Sequence, residues 1–99
     1  MMMLGTKQNC PIAKVAELLS DTWTMLIMRA LTEGPKRFCE LEQWLGNIST
    51  RTLTLKLTKL CSQGLVEKQA TGLYTATKKG AGLKIIEQAM IKYNDQYLK

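Results

Sequence analysis

Asn47-Ile-Ser-Thr-Arg-Thr-Leu-Thr-Leu-Lys-Leu-Thr-Lys-Leu60, followed by Ser62-Gln-Gly-Leu-Val-Glu-Lys68, decides the reading of this chain. Leu53, Leu57 and Leu60 recur at i, i+4 and i+7 and so share one face of a helix. Thr50, Arg51, Thr54, Leu55, Lys56 and Lys59 occupy the other face, and no acid follows before Glu67. Ser49 is a good N-cap and Gly64 a good C-cap. A short helix with one apolar side and one hydroxyl-and-cation side suits insertion into a DNA major groove. There Arg and Lys meet phosphates or guanine, and Thr meets phosphates or a thymine methyl. An ordinary amphipathic surface helix is the alternative, but its exposed face would usually mix both charge signs.

Composition narrows the class. The 99 residues fit one domain. A hydrophobic content of 45% is enough for a core. Fourteen Lys and Arg against eight Asp and Glu give a net charge of +6, which favours a polyanionic partner: nucleic acid or an anionic membrane surface. The longest apolar run, Met25 to Met28, is far too short to span a bilayer. Met1-Met2-Met3-Leu4-Gly5 lacks the basic start and apolar stretch of a secretion signal, so a cytoplasmic location is expected.

Little in the chain favours enzyme chemistry. Cys10, Cys39 and Cys61 form no CxxC pair, and there is no histidine. A tetrahedral zinc site of N and S ligands cannot be assembled from these residue types, and the commonest general base is missing. Gly80-Ala-Gly82 lacks the spacing of a phosphate-binding loop. No cofactor or metal is expected.

Working outward, Pro11 suits the first position of a helix, with Ile12, Val15, Ala16 and Leu19 forming its stripe. Ser20 or Asp21 caps the next helix, where Trp23, Leu26, Ile27 and Leu31 fall on one side until Gly34-Pro35 stops it. Lys36-Arg37-Phe38 reads as an extended link, Glu40 to Leu45 as a third helix, and Gly46-Asn47 as a turn. After the basic helix, Leu65 to Gln69 and Leu73 to Ala76 read as two short strands about the turn Ala70-Thr71-Gly72. Thr77 caps a final helix running to about Leu98.

Three helices and then a hairpin is the order of a winged helix-turn-helix. The expected fold is mainly α with a small β-hairpin, a single domain over residues 1–99 with a winged helix-turn-helix core at 8–76 and a long C-terminal dimerisation helix at 77–98. In that final helix Leu83, Ile86, Met90, Tyr93 and Tyr97 step by three and four, as coiled-coil a and d positions do. The stripe either forms a dimer seam or packs back on Leu18 and Leu19.

With these elements in this order, the chain resembles the HxlR-type winged-helix transcriptional regulators, relatives of the MarR group. The matching pieces are Cys10-Pro11-Ile12, Trp23-Thr24-Met25-Leu26-Ile27, Glu33-Gly34-Pro35-Lys36-Arg37-Phe38, Glu40-Leu41, Ile48-Ser49, Leu53-Thr54, Leu57, Leu60, Gly64-Leu65-Val66-Glu67-Lys68, Tyr74, Thr77 and Gly80, in order over about residues 10 to 98. The resemblance implies a homodimeric regulator of double-stranded DNA, formed through the first and last helices, with an effector that varies among members. The expected dimer interface is Ile12, Val15, Leu19, Leu83, Ile86, Met90, Tyr93 and Tyr97. In some members the cysteine before this proline senses oxidants or electrophiles, a role that would fall to Cys10. A thiol at a helix start can be activated by the helix dipole; packing as a small apolar residue is the competing role. Cys39 and Cys61, inside helices, are expected as buried fillers.

Four departures matter. Asp21-Thr22 replaces a Gly-Lys pair, Cys39 a serine, and Leu55 a polar residue of the recognition helix. The wing is short, and Ala70-Thr71-Gly72 carries no cation. DNA contacts are therefore expected from Ser49, Thr50, Arg51, Thr54, Leu55, Lys56 and Lys59 of the basic helix, with Lys36, Arg37 and Lys68 beside it. Three functions fit this face: a sequence-specific transcription factor acting on an inverted repeat, a non-specific architectural or replication-associated DNA binder, and a winged-helix protein-interaction module. The last is disfavoured because such modules commonly carry acids on this helix. The single arginine, Arg51, keeps the second open.

Overall fold

A computed structural model describes residues 10–98. Residues 1–9, including the start of the expected core at Gln8 and the Met1 to Gly5 segment, lie outside the described residues. Helix α1 spans Pro11–Leu18, with Cys10 in the extended conformation of an N-cap and Pro at the first turn. Helix α2 spans Thr22–Glu33, and Asp21 caps it by accepting the Thr24 backbone N–H at 2.8 Å. Its buried side carries Ile27, Met28, Ala30 and Leu31. Helix α3 spans Phe38–Leu45. It begins two residues before the expected Glu40, because the Glu40 carboxylate accepts the Arg37 N–H at 2.7 Å and closes the first turn from inside.

Gly46, at φ 82°, makes the turn that only glycine adopts freely. Helix α4 spans Thr50–Ser62; Ser49 Oγ accepts from the Thr52 N–H at 3.1 Å, and Gly64 follows the helix at φ 77°. Leu53, Leu57 and Leu60 are buried, as their spacing predicts. Together with Ile27, Met28, Leu41 and Leu65 they form a single core.

Strands β1 (Val66–Lys68) and β2 (Tyr74–Ala76) pair antiparallel, with Val66 opposite Ala76 and Lys68 opposite Tyr74. The ladder is shorter than expected at both ends: Leu65 turns fully into the core, and Gln69 and Leu73 close the turn through the Gln69 N–H to Leu73 O bond of 2.8 Å. Lys36 bridges Tyr74 through two backbone bonds of 3.0 and 2.8 Å, so the link before α3 lies along β2.

The long final helix is present over residues 78–98, with a tighter turn near its start and a wider one at its end. Thr77 caps its first segment, α5 (Lys78–Ala81); Gly82 and Leu83 keep right-handed helical dihedrals in a tighter turn; α6 runs Lys84–Tyr93, and 94–98 widen into a π-type turn. Leu83, expected in a dimer seam, is only 6% exposed and belongs to the protomer's own core. It lies on the side of the helix that packs against the protomer, where Ile86 and Glu87, three and four residues on, are also covered. Gly80 lies against the Leu65 carbonyl, where a Cβ would sit 2.1 Å from that oxygen. Among the described residues no helix is long and apolar enough to cross a membrane.

Candidate nucleic-acid interface

Packing of Leu53, Leu57 and Leu60 into the core turns the opposite side of α4 to solvent. Arg51, Thr54, Leu55, Thr58 and Lys59 are all exposed there, Leu55 to 59%. Thr54 and Thr58 donate to the carbonyls four residues back, each at 2.8 Å. This returns the hydroxyls to the helix and leaves their methyl groups outward. Arg51 and Lys59 have no hydrogen-bond or ion-pair partner among the described residues. The face therefore offers two free cations flanking an apolar patch, a combination able to meet phosphates, guanine and thymine methyls.

Several of the other expected contact residues are engaged inside the protomer. Lys56 Nζ lies 2.7 Å from Asp21 Oδ2. Partial burial pushes the Asp21 carboxyl up, but the Lys56 bond and the Thr24 N–H outweigh it and hold the carboxyl below its ordinary value. The pair ties the middle of α4 to the start of α2. Lys36 Nζ donates to Ala30 O at 2.9 Å and lies 4.0 Å from Glu33. Thr50 donates to Glu42 Oε2 at 2.7 Å, fixing the start of α4 to α3. Ser49 caps its helix. The expectation that the face is free of acids holds along α4 itself; Asp21 and Glu42 approach it from other helices. Neither contact has a local signature in sequence, since Asp21 is legible as a cap but its ion pair spans 35 positions.

At the far end of α4, Thr77 Oγ1 donates to Gly64 O at 2.6 Å and Lys79 Nζ to Gln63 O at 3.0 Å. These bonds satisfy carbonyls the helix leaves open. In the hairpin, Lys68 is exposed, with its ammonium 5.6 Å from the centre of the Tyr74 ring. Arg37, also exposed, donates from Nη1 to Thr71 O at 2.9 Å, at the hairpin tip.

A second face is apolar. Ile12 of α1 is 78% exposed, and Val15, Met90, Tyr93 and Tyr97 are also exposed; the two tyrosine rings lie 4.9 Å apart. Pro11, Ile12, Val15, Ala16 and Ile86 line one groove, which places α1 beside α6. Leu18, Leu19 and Ile86 are half-buried against the core, so packing back accounts for part of the stripe and leaves the rest open. Ile85, Ile91 and Leu98 join the exposed set although the expected stripe omits them. Glu87 is buried beneath this face and accepts from Thr32 Oγ1 at 3.2 Å.

The cysteines differ from one another. Cys10 is half-buried at the start of α1. Cys39, expected to be buried, is exposed, because Leu41 faces the core from α3 and a residue two positions earlier falls on the other side of the helix. Cys61 is half-buried; burial pushes its thiol up, against the opposing charge of Lys68.

Known proteins share this arrangement. The HTH-type transcriptional regulator YodB of Bacillus subtilis (strain 168) is 35% identical over 95 residues, covering 89% of this chain and 85% of its own. The crystal structure of quinone-bound YodB superposes with a TM-score of 0.82 at 36% identity, over 89% of this chain and all of the other (100%). A MarR-family regulator from Porphyromonas gingivalis W83 superposes at 0.82 with 25% identity, over 90% of this chain and 93% of its own. The redox regulator HypR in its reduced form reaches 0.78 with 25% identity, over 87% and 91% of the two chains. The HxlR-like helix-turn-helix profile matches residues 18–99. With that match on a winged helix of this geometry, the chain belongs to the HxlR-like helix-turn-helix family of transcriptional regulators.

Proposed function

We propose that this protein is a cytoplasmic, sequence-specific DNA-binding regulator that acts as a homodimer on an inverted-repeat operator and answers to oxidants or electrophiles through Cys10. The observation that carries the DNA reading is the exposed side of α4, where Arg51 and Lys59 stand free around Thr54 and Leu55. Arg51 lies in the first turn, the part of a recognition helix that touches base edges. Lys59, Lys68 and Arg37 extend the cationic surface to the phosphates. Lys36 and Lys56 contribute to the fold and not to the free charge. The α1 and α6 faces supply the seam of the dimer.

Arg51→Ala is expected to weaken binding to the selected operator by about 1–3 kcal/mol and to relax base preference at one position in each half-site. Lys59→Ala is expected to weaken binding to all sequences and to reduce the salt slope by about one unit, because one phosphate fewer is neutralised. Gel shifts on operator and random duplexes across a salt series measure both. Equal losses on the two duplexes for Arg51→Ala remove its base-reading role and favour a non-specific binder.

The redox reading is supported by the place of Cys10, a half-buried thiol at the start of α1, a helix assigned to the dimer. It is supported also by the similarity to proteins described as quinone-bound and as a redox regulator. Diamide or peroxide is expected to lower operator binding by wild type and to leave Cys10→Ser unaffected. If both respond alike, or if Cys39→Ser alone abolishes the response, Cys10 is a packing residue.

A further inference from the structure

We propose that Arg37, outside the hairpin in sequence, is the wing's cation, and that it gives the protein a preference for A·T-rich, narrow minor grooves flanking its half-sites. The inference rests on α4 reading the major groove.

The hairpin turn, Ala70-Thr71-Gly72, carries no charge of its own. The structure brings one there from another segment. Lys36 pairs with Tyr74 through two backbone bonds of 3.0 and 2.8 Å, so the chain before α3 runs as a third extended segment along β2. The next residue is Arg37. Its backbone N–H is held by Glu40 Oε1 at 2.7 Å, which fixes where the side chain leaves. The guanidinium then reaches the turn, where Nη1 donates to Thr71 O at 2.9 Å. Gly72 leaves the space this needs, since a Cβ there would approach Nη1 to 3.3 Å.

The charge is held but not neutralised. A guanidinium has five N–H donors, and one bond to a neutral carbonyl leaves the others for a ligand. Among the described residues no carboxylate forms an ion pair with Arg37. The side chain is exposed. A cation with its position fixed in advance loses less conformational freedom on binding than a free surface arginine does.

The hairpin leaves α4 directly through Gly64 and Leu65. With α4 in the major groove, its tip lies over the adjoining backbone and minor groove. Narrow minor grooves, as in A-tracts, concentrate negative potential and attract inserted arginine. Base edges there distinguish A·T from G·C pairs and little else. Arg37 therefore adds selectivity for the shape of the flank and leaves the reading of the half-site to α4.

The test uses the full chain and an inverted-repeat duplex selected from genomic fragments, made with outer flanks of either AAATT or GCGCC. Wild type is expected to bind the A·T-flanked duplex about five- to tenfold more tightly, within the range of a single base-dependent contact. Arg37→Ala is expected to lose that preference while keeping the discrimination of operator from random sequence. Adding Ala70→Arg to Arg37→Ala, which puts a cation on the turn itself, is expected to restore it. Thermal melting checks that both variants are folded. A flank preference retained by Arg37→Ala overturns the proposal, as does wild-type binding that ignores the flank. Failure of Ala70→Arg to restore the preference reduces Arg37 to a brace of the turn. A wild-type protein that binds no duplex refutes instead the reading of α4 on which the proposal rests.

Discussion

The double variant Ile12→Asp with Met90→Asp is expected to be a folded monomer that binds its operator at least about 100-fold more weakly than wild type. Ile12 is on α1 and Met90 on α6, and they are 78% and 51% exposed, so neither change removes much from the protomer's own core. Their cost falls on whatever covers them. Contiguous exposed apolar surface of this kind marks an interface, and a carboxylate placed at its centre must be desolvated without a partner when two copies meet. Two tethered reading helices bind an inverted repeat with an avidity typically about 10²–10⁴ beyond either alone; separating them forfeits that factor and leaves affinity for a single half-site nearly unchanged. Sedimentation at micromolar concentration, together with gel shifts on full and half operators, measures both. A wild-type protein that sediments as a monomer contradicts the dimer, and so does a variant that keeps full operator affinity. Ile86 is the poorer choice for such a test, because it is half-buried against the core and an acid there would confuse unfolding with dissociation.

Gly80→Ala is expected to destabilise the protein by about 1–3 kcal/mol or more, the range for forcing an extra methyl into a packed site. Glycine inside a helix is ordinarily about 1 kcal/mol worse than alanine, so propensity alone gives the opposite sign. Geometry decides. The added Cβ would lie 2.1 Å from the Leu65 carbonyl oxygen and 2.8 Å from Met28 Cε. A methionine terminus can swing aside, but a backbone carbonyl at the root of the hairpin cannot. For a domain of this size each kcal/mol lowers the melting temperature by about 4–8 °C. Gly82→Ala is the control: its nearest neighbour would be Lys79 O at 3.3 Å, and a much smaller change is expected. Equal melting temperatures for Gly80→Ala and wild type would mean that α5 does not press on the hairpin as described.

The two variants mark where sequence is informative and where it is silent. Elements with local chemical signatures are legible: Asp21, Ser49 and Thr77 each accept a backbone N–H at a helix start, and Leu53, Leu57 and Leu60 are buried where their spacing places them. The hairpin follows from its turn. What depends on contact between distant segments is not legible. The step from Leu83 to Tyr97 is regular, so periodicity cannot reveal that its first member, Leu83, belongs to the protomer's own core while Met90, Tyr93 and Tyr97 stay exposed. Lys56 has the same spacing relative to the core stripe as a free surface cation, and only the fold brings Asp21 to it. Arg37 is legible as a cation near the DNA face, but its reach to Thr71 across 34 positions is not.

Helix α4 is fastened at its start by Thr50 to Glu42, in its middle by Lys56 to Asp21, and at its end by Thr77 and Lys79 to the carbonyls of Gly64 and Gln63. Arg51, Thr54, Leu55 and Lys59 take no part in that fastening; Thr54 bonds only to its own helix. The side chains that hold the helix and those that face outward from it are thus separate sets. On the proposed reading of α4, mutation in the second set is expected to change DNA preference without unfolding the protein, and mutation in the first to alter stability without rewriting that preference. If α4 reads DNA as proposed, such a division would let descendants of one ancestral chain drift toward new target sites while the scaffold stays the same.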